Sequence, residues 1–339
     1  MKQRTFEAEN RSRWEAFEAL VSRIDALGRR RPSSAEQSQL AEFPAHYLEI
    51  CRDLAVATDR RYSPTLIDYL NRLTLDGHRI LYTRDPNFTL RVLRFVVAGF
   101  PRALRQEWRL LAVSTALFLV PGLIVGGLVL GFPELVYSAM DASEVRNFES
   151  MYDPAADHIG VDRESADDVQ MFGFYIFNNI GIAFRAFAGG LFFGIGSALI
   201  LVFNGIVLGA VSAHIVHVGF GETFFSFVIG HGAFELTAIV ISGAAGLKLG
   251  WALAAPGART RLEALRHAAR ESLALVYGVF GMLVIAALLE AFWSSKATIA
   301  EELKFAVGAA LWAGVLLYFL LAGRSAAGFP RRSAASARR

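Results

Sequence analysis

The chain has 339 residues, 54% of them hydrophobic and 19% charged, with a formal net charge of +3 and a single cysteine, Cys51. A charged fraction below the roughly 25% of soluble domains argues against a wholly soluble protein. The small net charge makes no case for nucleic acid, and one cysteine excludes a disulfide framework and any two-cysteine metal motif.

Residues 1–109 hold 33 charges, whereas residues 110–339 hold only 32. A soluble part of about 100 residues therefore precedes a lipid-soluble part of about 230. The first 25 residues are charged and lack an apolar core run, so no cleavable signal peptide is expected and an internal span drives insertion.

Within the soluble part, Phe6, Trp14, Phe17, Leu20, Val21, Ile24 and Leu27 outline a first helix, stopped by Gly28. Ser33-Ser34 followed by Glu36-Gln37 resembles a capped helix start. Leu40, Phe43, Tyr47, Leu48, Cys51, Leu54 and Ala55 continue the face of a second helix, with Pro44 as a candidate interruption. Ser63-Pro64 opens a third helix carrying Leu66, Ile67, Leu70, Leu73 and Leu75. This pattern predicts a compact three-helix domain over 1–87 with no catalytic constellation. Residues 88–109 mix large apolar residues with five arginines, as expected of an amphipathic interfacial helix that feeds the first span and meets anionic headgroups.

A membrane crossing needs about 20 apolar residues. Residues 110–133, 186–221, 223–247, 272–289 and 305–323 qualify, with His231 and Glu235 the only titratable exceptions in the third. The segment 172–184 is also uncharged, so 172–217 is too long for one pass. Arg91, Arg94, Arg102, Arg105 and Arg109 precede the first span, and the loop 132–171 carries ten acids against two arginines. Lys248, Arg259, Arg261, Arg266 and Arg270 mark the 248–271 loop, and the tail 324–339 is basic. The positive-inside rule then places both termini and the 248–271 loop in the cytoplasm and the acidic loop outside. Parity favours six passes, with breaks near Gly194–Ser197 and His217–Gly221; a re-entrant turn at Gly230-His231-Gly232 is the alternative with five. The expected fold is all-α: a polytopic transmembrane bundle of five to six segments over 110–323 with an N-terminal cytoplasmic helical domain.

Polar groups within such spans are functional candidates. They are Asn178, Asn179, Arg185, Asn204, His231 and Glu235, with His214, His217 and Glu290 nearby. His231 and Glu235 share one helix face by their i,i+4 spacing, and the pair is predicted to join at least one of the three asparagines in a buried polar cluster. His214 and His217 with His231 and Glu235 compose a four-ligand set for zinc. Spacing does not bring those pairs together, however, and His-x-x-His arises readily by chance, so no metal and no cofactor are expected. The His-Glu-x-x-His signature is absent and no catalytic residue is assigned. Gly205, Gly209, Gly243 and Gly246 are helix-packing positions, used either within the bundle or between copies.

Asn178-Asn179-Ile180, Phe203-Asn204-Gly205 through Gly209-Ala210, His231-Gly232 with Glu235-Leu236, and Gly243-Ala-Ala-Gly246 occur in the order that resembles the stage II sporulation protein M family. Tyr47, Cys51, Asp53-Leu54-Ala55, Leu70-Asn71 and Gly77-His78 resemble its longer, non-sporulating bacterial members. The resemblance implies an inner-membrane, non-enzymatic scaffold for envelope remodelling. Its implied partners are envelope proteins and a MoxR-type ATPase system with von Willebrand A-domain and RDD-family proteins, beside the membrane lipids expected at the arginine-rich helix and the second copy that the small-residue faces could take. A transporter or channel subunit using the polar intramembrane residues is the other reading.

Overall fold

A computed structural model describes residues 2–27, 34–82, 88–155, 168–296 and 298–324. The expected stop at Gly28, the cap at Ser33, the loop acids Asp157, Asp162 and Asp167, and the tail beyond Arg324 lie outside the described residues. The chain divides into two compact units, Met1–Leu90 and Arg91–Arg339, and every regular element among the described residues is helical.

The first unit packs α1 (Gln3–Leu27), α2 (Ser34–Asp59) and α3 (Pro64–Tyr82) around Phe6, Trp14, Phe17, Val21, Phe43, Ile50, Ala57, Leu66, Leu70 and Leu73. Pro44 sits inside α2 without ending it. Proline costs a helix one hydrogen bond and crowds the preceding turn, but Phe43 and Ile50 on either side are buried, and their packing outweighs that local cost. The buried face of α2 is rotated from the expected one. Ile50 and Ala57 lie in the core, whereas Leu48 is 67% exposed and Cys51 is half-buried. Asp53 takes the remaining inward position, where its Oδ2 accepts from Trp14 Nε1 at 2.8 Å and from the Arg13 guanidinium at 2.6 Å.

In the second unit five helices are long and apolar enough to cross a membrane. They are α6 (Trp108–Gly131), α10 (Ile195–His217), α11 (Gly221–Ala254), α12 (Arg261–Leu289, continued by a π turn over Glu290–Ser294) and α13 (Glu301–Leu321). α6 and α10 run in the same direction, because Gly122 meets Gly205 and, four residues on, Gly126 meets Gly209. The chain between them must therefore return. That return is α9, Asp168–Ala188, 21 residues or about 31 Å long. It packs on α10, α11 and α12. The breaks fall at Gly189–Gly194, where Gly194 adopts φ +83°, and at residues 218–220. α11 is continuous through Gly230–Gly232, which removes the re-entrant alternative.

Backbone contacts hold these helices together. A Cβ on Gly205 or Gly209 would collide with the carbonyl oxygens of Phe118 and Gly122. One on Gly243 would strike Leu201 and Ser114, and one on Gly246 the Ser197 hydroxyl and the Ala186 carbonyl. Glycine permits this approach because nothing separates the two backbones. All four positions thus serve packing within the chain.

At one end of the bundle, the expected interfacial helix is three pieces: α4 (Phe88–Arg94), a π turn (Phe95–Gly99) and α5 (Phe100–Gln106). Pro101 cannot donate to the preceding turn, and the π turn absorbs the mismatch. Phe100 and Leu104 enter the core. Arg102 and Arg105 do not reach out to headgroups as expected. They cap the C-terminus of α13, Arg102 donating to Gly323 O at 2.7 Å and Arg105 to Phe319 O and Ala322 O at 2.6 and 2.7 Å. Most of the expected 248–271 loop is helical. Lys248 on α11 donates to Glu107 at 2.5 Å and pairs with Glu271 of α12 at 2.9 Å. At the other end, the acidic segment forms α7 (Val136–Ala139) and α8 (Ala142–Tyr152), the latter opened by an Asp141–Glu144 capping box.

Candidate functional site

The polar residues of the spans converge on one cavity of about 410 Å³, partly open, among α8, α9, α10, α11 and the end of α12. Asn178 and Asn179 come from α9, Asn204 from α10, His231 and Glu235 from α11, and Glu290 from the π turn. His231 lies ten residues into α11, about 15 Å from its start. Phe148, Met151 and Tyr152 of α8 and Phe224 and Phe227 of α11 also line the cavity.

One ring nitrogen of His231 and one carboxylate oxygen from each of Glu235 and Glu290 lie within 4.8 Å of one another. His231 Nδ1 is 3.2 Å from the Ser294 hydroxyl, and Phe227 stacks edge-on against the ring at 5.1 Å. Asn179 Nδ2 donates to Glu290 Oε2 at 3.5 Å, and Asn178 Nδ2 donates to Asn179 Oδ1 at 3.0 Å. Asn204 turns its amide to the Ile200 carbonyl of its own helix at 2.7 Å while remaining on the cavity wall. Glu235 makes no hydrogen bond or ion pair among the described residues. Among the described residues no lysine or arginine lines the cavity. Two carboxylates thus face each other's neighbourhood without a counter-cation, an arrangement that a low-dielectric site resists unless protons or a cation neutralise it. Tyr152 closes the α8 side, packing on Phe224 at 4.9 Å. Burial and the neighbouring Glu290 carboxylate push its hydroxyl well above the ordinary tyrosine range.

The structure therefore gathers Asn178, Asn179, Asn204, His231 and Glu235, and leaves Arg185 exposed and off the cavity. His214 and His217 do not join them. His214 Nε2 lies 2.7 Å from Glu149 Oε1 beneath α8, and His217 points outward. The four-ligand set His214, His217, His231 and Glu235 is accordingly not assembled; among the described residues the group that forms is His231, Glu235 and Glu290. Sequence reading placed Glu290 near a span end but outside the cluster. It also missed Ser294, Tyr152 and Lys304, whose buried ammonium donates to Ser294 O at 2.9 Å. An acid closing an uncharged run was the available signal for Glu290. Nothing local marks Ser294 or Tyr152.

The model of the family described as stage II sporulation protein M matches residues 108–295. The chain belongs to the stage II sporulation protein M family. Every protein group named on the cavity falls within that matched stretch, Glu290 included. Residues 4–83 match a domain of unknown function (DUF8413), which coincides with the three-helix unit. Neither the curated proteins nor the solved structures contain a match to this chain. This family member is thus an integral, multi-pass membrane protein with a separate helical unit at its N-terminal side.

Proposed function

We propose that this stage II sporulation protein M family member is a non-enzymatic transporter or channel subunit of a bacterial inner membrane, passing protons or a small cationic solute through the cavity. The observation that carries this reading is the convergence of two carboxylates, an imidazole and three asparagines from four helices on one partly open space inside the spans. Buried glue needs partners, and among the described residues Glu235 makes no hydrogen bond or ion pair. The end bearing Arg102, Arg105 and Lys248 is the cytoplasmic one by the positive-inside rule, which also puts both termini there and α8 outside.

The protein reconstituted in liposomes with an imposed pH gradient and a pH-sensitive dye provides the test. Wild type should dissipate the gradient faster than empty vesicles, and Glu235→Leu should return the rate to theirs. Equal rates for wild type and empty vesicles would overturn the reading. Family membership favours a second reading, a scaffold for envelope remodelling that assembles with a second copy, with envelope proteins or with a MoxR-type ATPase. Recovery of such partners with the solubilised protein, without flux in vesicles, would select it.

A further inference from the structure

We propose that His231, Glu235 and Glu290 form a binding site for a divalent transition metal of the zinc class, with one coordination position open to the cavity. The inference does not depend on the transport reading, since a metal held there is compatible with either proposed function.

Three features carry it. The ligand atoms come from two separate helical elements and already lie within 4.8 Å of one another. Tetrahedral zinc, with bonds of about 2.0–2.2 Å, needs ligand-to-ligand edges of about 3.3 Å. A bound metal would draw these atoms together by up to about 1.5 Å. The second feature is charge. Two carboxylates with no lysine or arginine on the cavity wall among the described residues call for a cation of charge two, which makes the whole group neutral. The third is orientation. Ser294 engages His231 Nδ1, which leaves Nε2 for a metal, and Asn179 holds the Glu290 carboxylate. Metal-ligating imidazoles and carboxylates are held in this way by outer partners. One imidazole and two carboxylates suit zinc and its first-row neighbours. They are too few and too nitrogenous for calcium, which takes six to eight oxygens, or for magnesium, which prefers oxygen and water. The cavity beside Glu235 leaves room for water or a small anion in the fourth position.

Titration of the metal-stripped, full-length protein in detergent with Zn²⁺, and with Co²⁺ as a spectroscopic probe, tests the site. Wild type should take up one equivalent and give the intense visible bands of four- or five-coordinate Co²⁺. Asn179→Ala and Ser294→Ala should weaken binding by about 10–100-fold, the usual effect of losing an outer partner. Glu290→Gln and His231→Gln should weaken it further. Thermal unfolding with and without Zn²⁺ checks the fold of each variant. Wild type should melt higher with metal, while Glu290→Gln should melt cooperatively at a temperature that metal does not change. Wild type that binds no stoichiometric metal, or variants that bind as tightly as wild type, would overturn the proposal. Absence of metal with vesicle flux intact defeats this site alone; metal uptake without flux defeats the transport reading alone.

Discussion

The two units bury acidic side chains in opposite ways. In the three-helix unit, Asp53 is held by the Trp14 indole and the Arg13 guanidinium, so its charge is met by a donor and a cation. In the membrane unit, Glu290 has the Asn179 amide and Glu235 has no partner among the described residues. The units also cohere by different means. Large aromatic and aliphatic side chains fill the first core, where removal of apolar surface from water supplies the driving force. In the second, Gly205, Gly209, Gly243 and Gly246 bring backbones together, because lipid is as apolar as leucine and close packing must do the work. The contrast separates an acid whose charge the fold itself meets from acids that the described residues leave without a cation.

The largest effects should come from each unit's own mode of cohesion. Phe17→Ala empties the centre of the first core and should cost about 3–5 kcal/mol. Gly209→Leu, by contrast, inserts a side chain where the Gly122 carbonyl lies. It should cost about 3 kcal/mol or more. Hydrogen exchange on the full chain should localise the first loss to α1–α3 and the second to α6 and α10. Exchange spread equally over both units in either variant would contradict two independently held regions.

The acids should give the next effect. Asp53→Ala leaves the Trp14 N–H unpaired and Arg13 without its main partner, and should destabilise the first unit by about 2–3 kcal/mol, a buried-pair value reduced for the partial exposure of Arg13. Glu290→Gln in metal-free buffer should change stability by less than about 0.5 kcal/mol or raise it, since it removes an uncompensated charge. Denaturant melts of both variants make the comparison. A loss for Glu290→Gln as large as that for Asp53→Ala would make Glu290 a structural clasp like Asp53.

The smallest effect concerns a surface edge of the first unit. Partial burial and the neighbouring Glu18 carboxylate raise the Tyr69 hydroxyl to about 12. Its folded value lies above the unfolded value of 10.0, so its contribution to stability is present below the unfolded value and is lost as pH rises through the folded one. The alkaline absorbance difference between wild type and Tyr69→Phe should show one tyrosine ionising near pH 12. Ionisation near pH 10 would place Tyr69 outside the influence of Glu18.

Much of this was legible in the residues alone. The motifs Asn178-Asn179, Asn204-Gly205 and His231 with Glu235 pointed to the family and to most of the cavity. The apolar runs marked the five long spans, and the surplus length of 172–217 required the return that α9 makes. Phe6, Trp14, Phe17 and Val21 were readable as a buried face because helical periodicity repeats along one element. The face of α2 was misread near Pro44, where Leu48 and Ile50 are equally apolar and only packing against α1 and α3 chooses Ile50.

Span positions and the charge bias that orients them follow from transfer of side chains between water and lipid, a property of composition over some 20 residues, and the sequence by itself determined them. Which polar groups meet depends on the rotation of each helix about its axis, and the tertiary structure alone decided that. The close glycine contacts between helices and the π turn at Glu290–Ser294 are part of the packing that accompanies those rotations. In the packed bundle Glu290 lies beside His231 and Glu235, His214 meets Glu149 and Arg185 stays outside. Such convergence is a sum of close contacts between distant segments, and no local pattern along the chain encodes it.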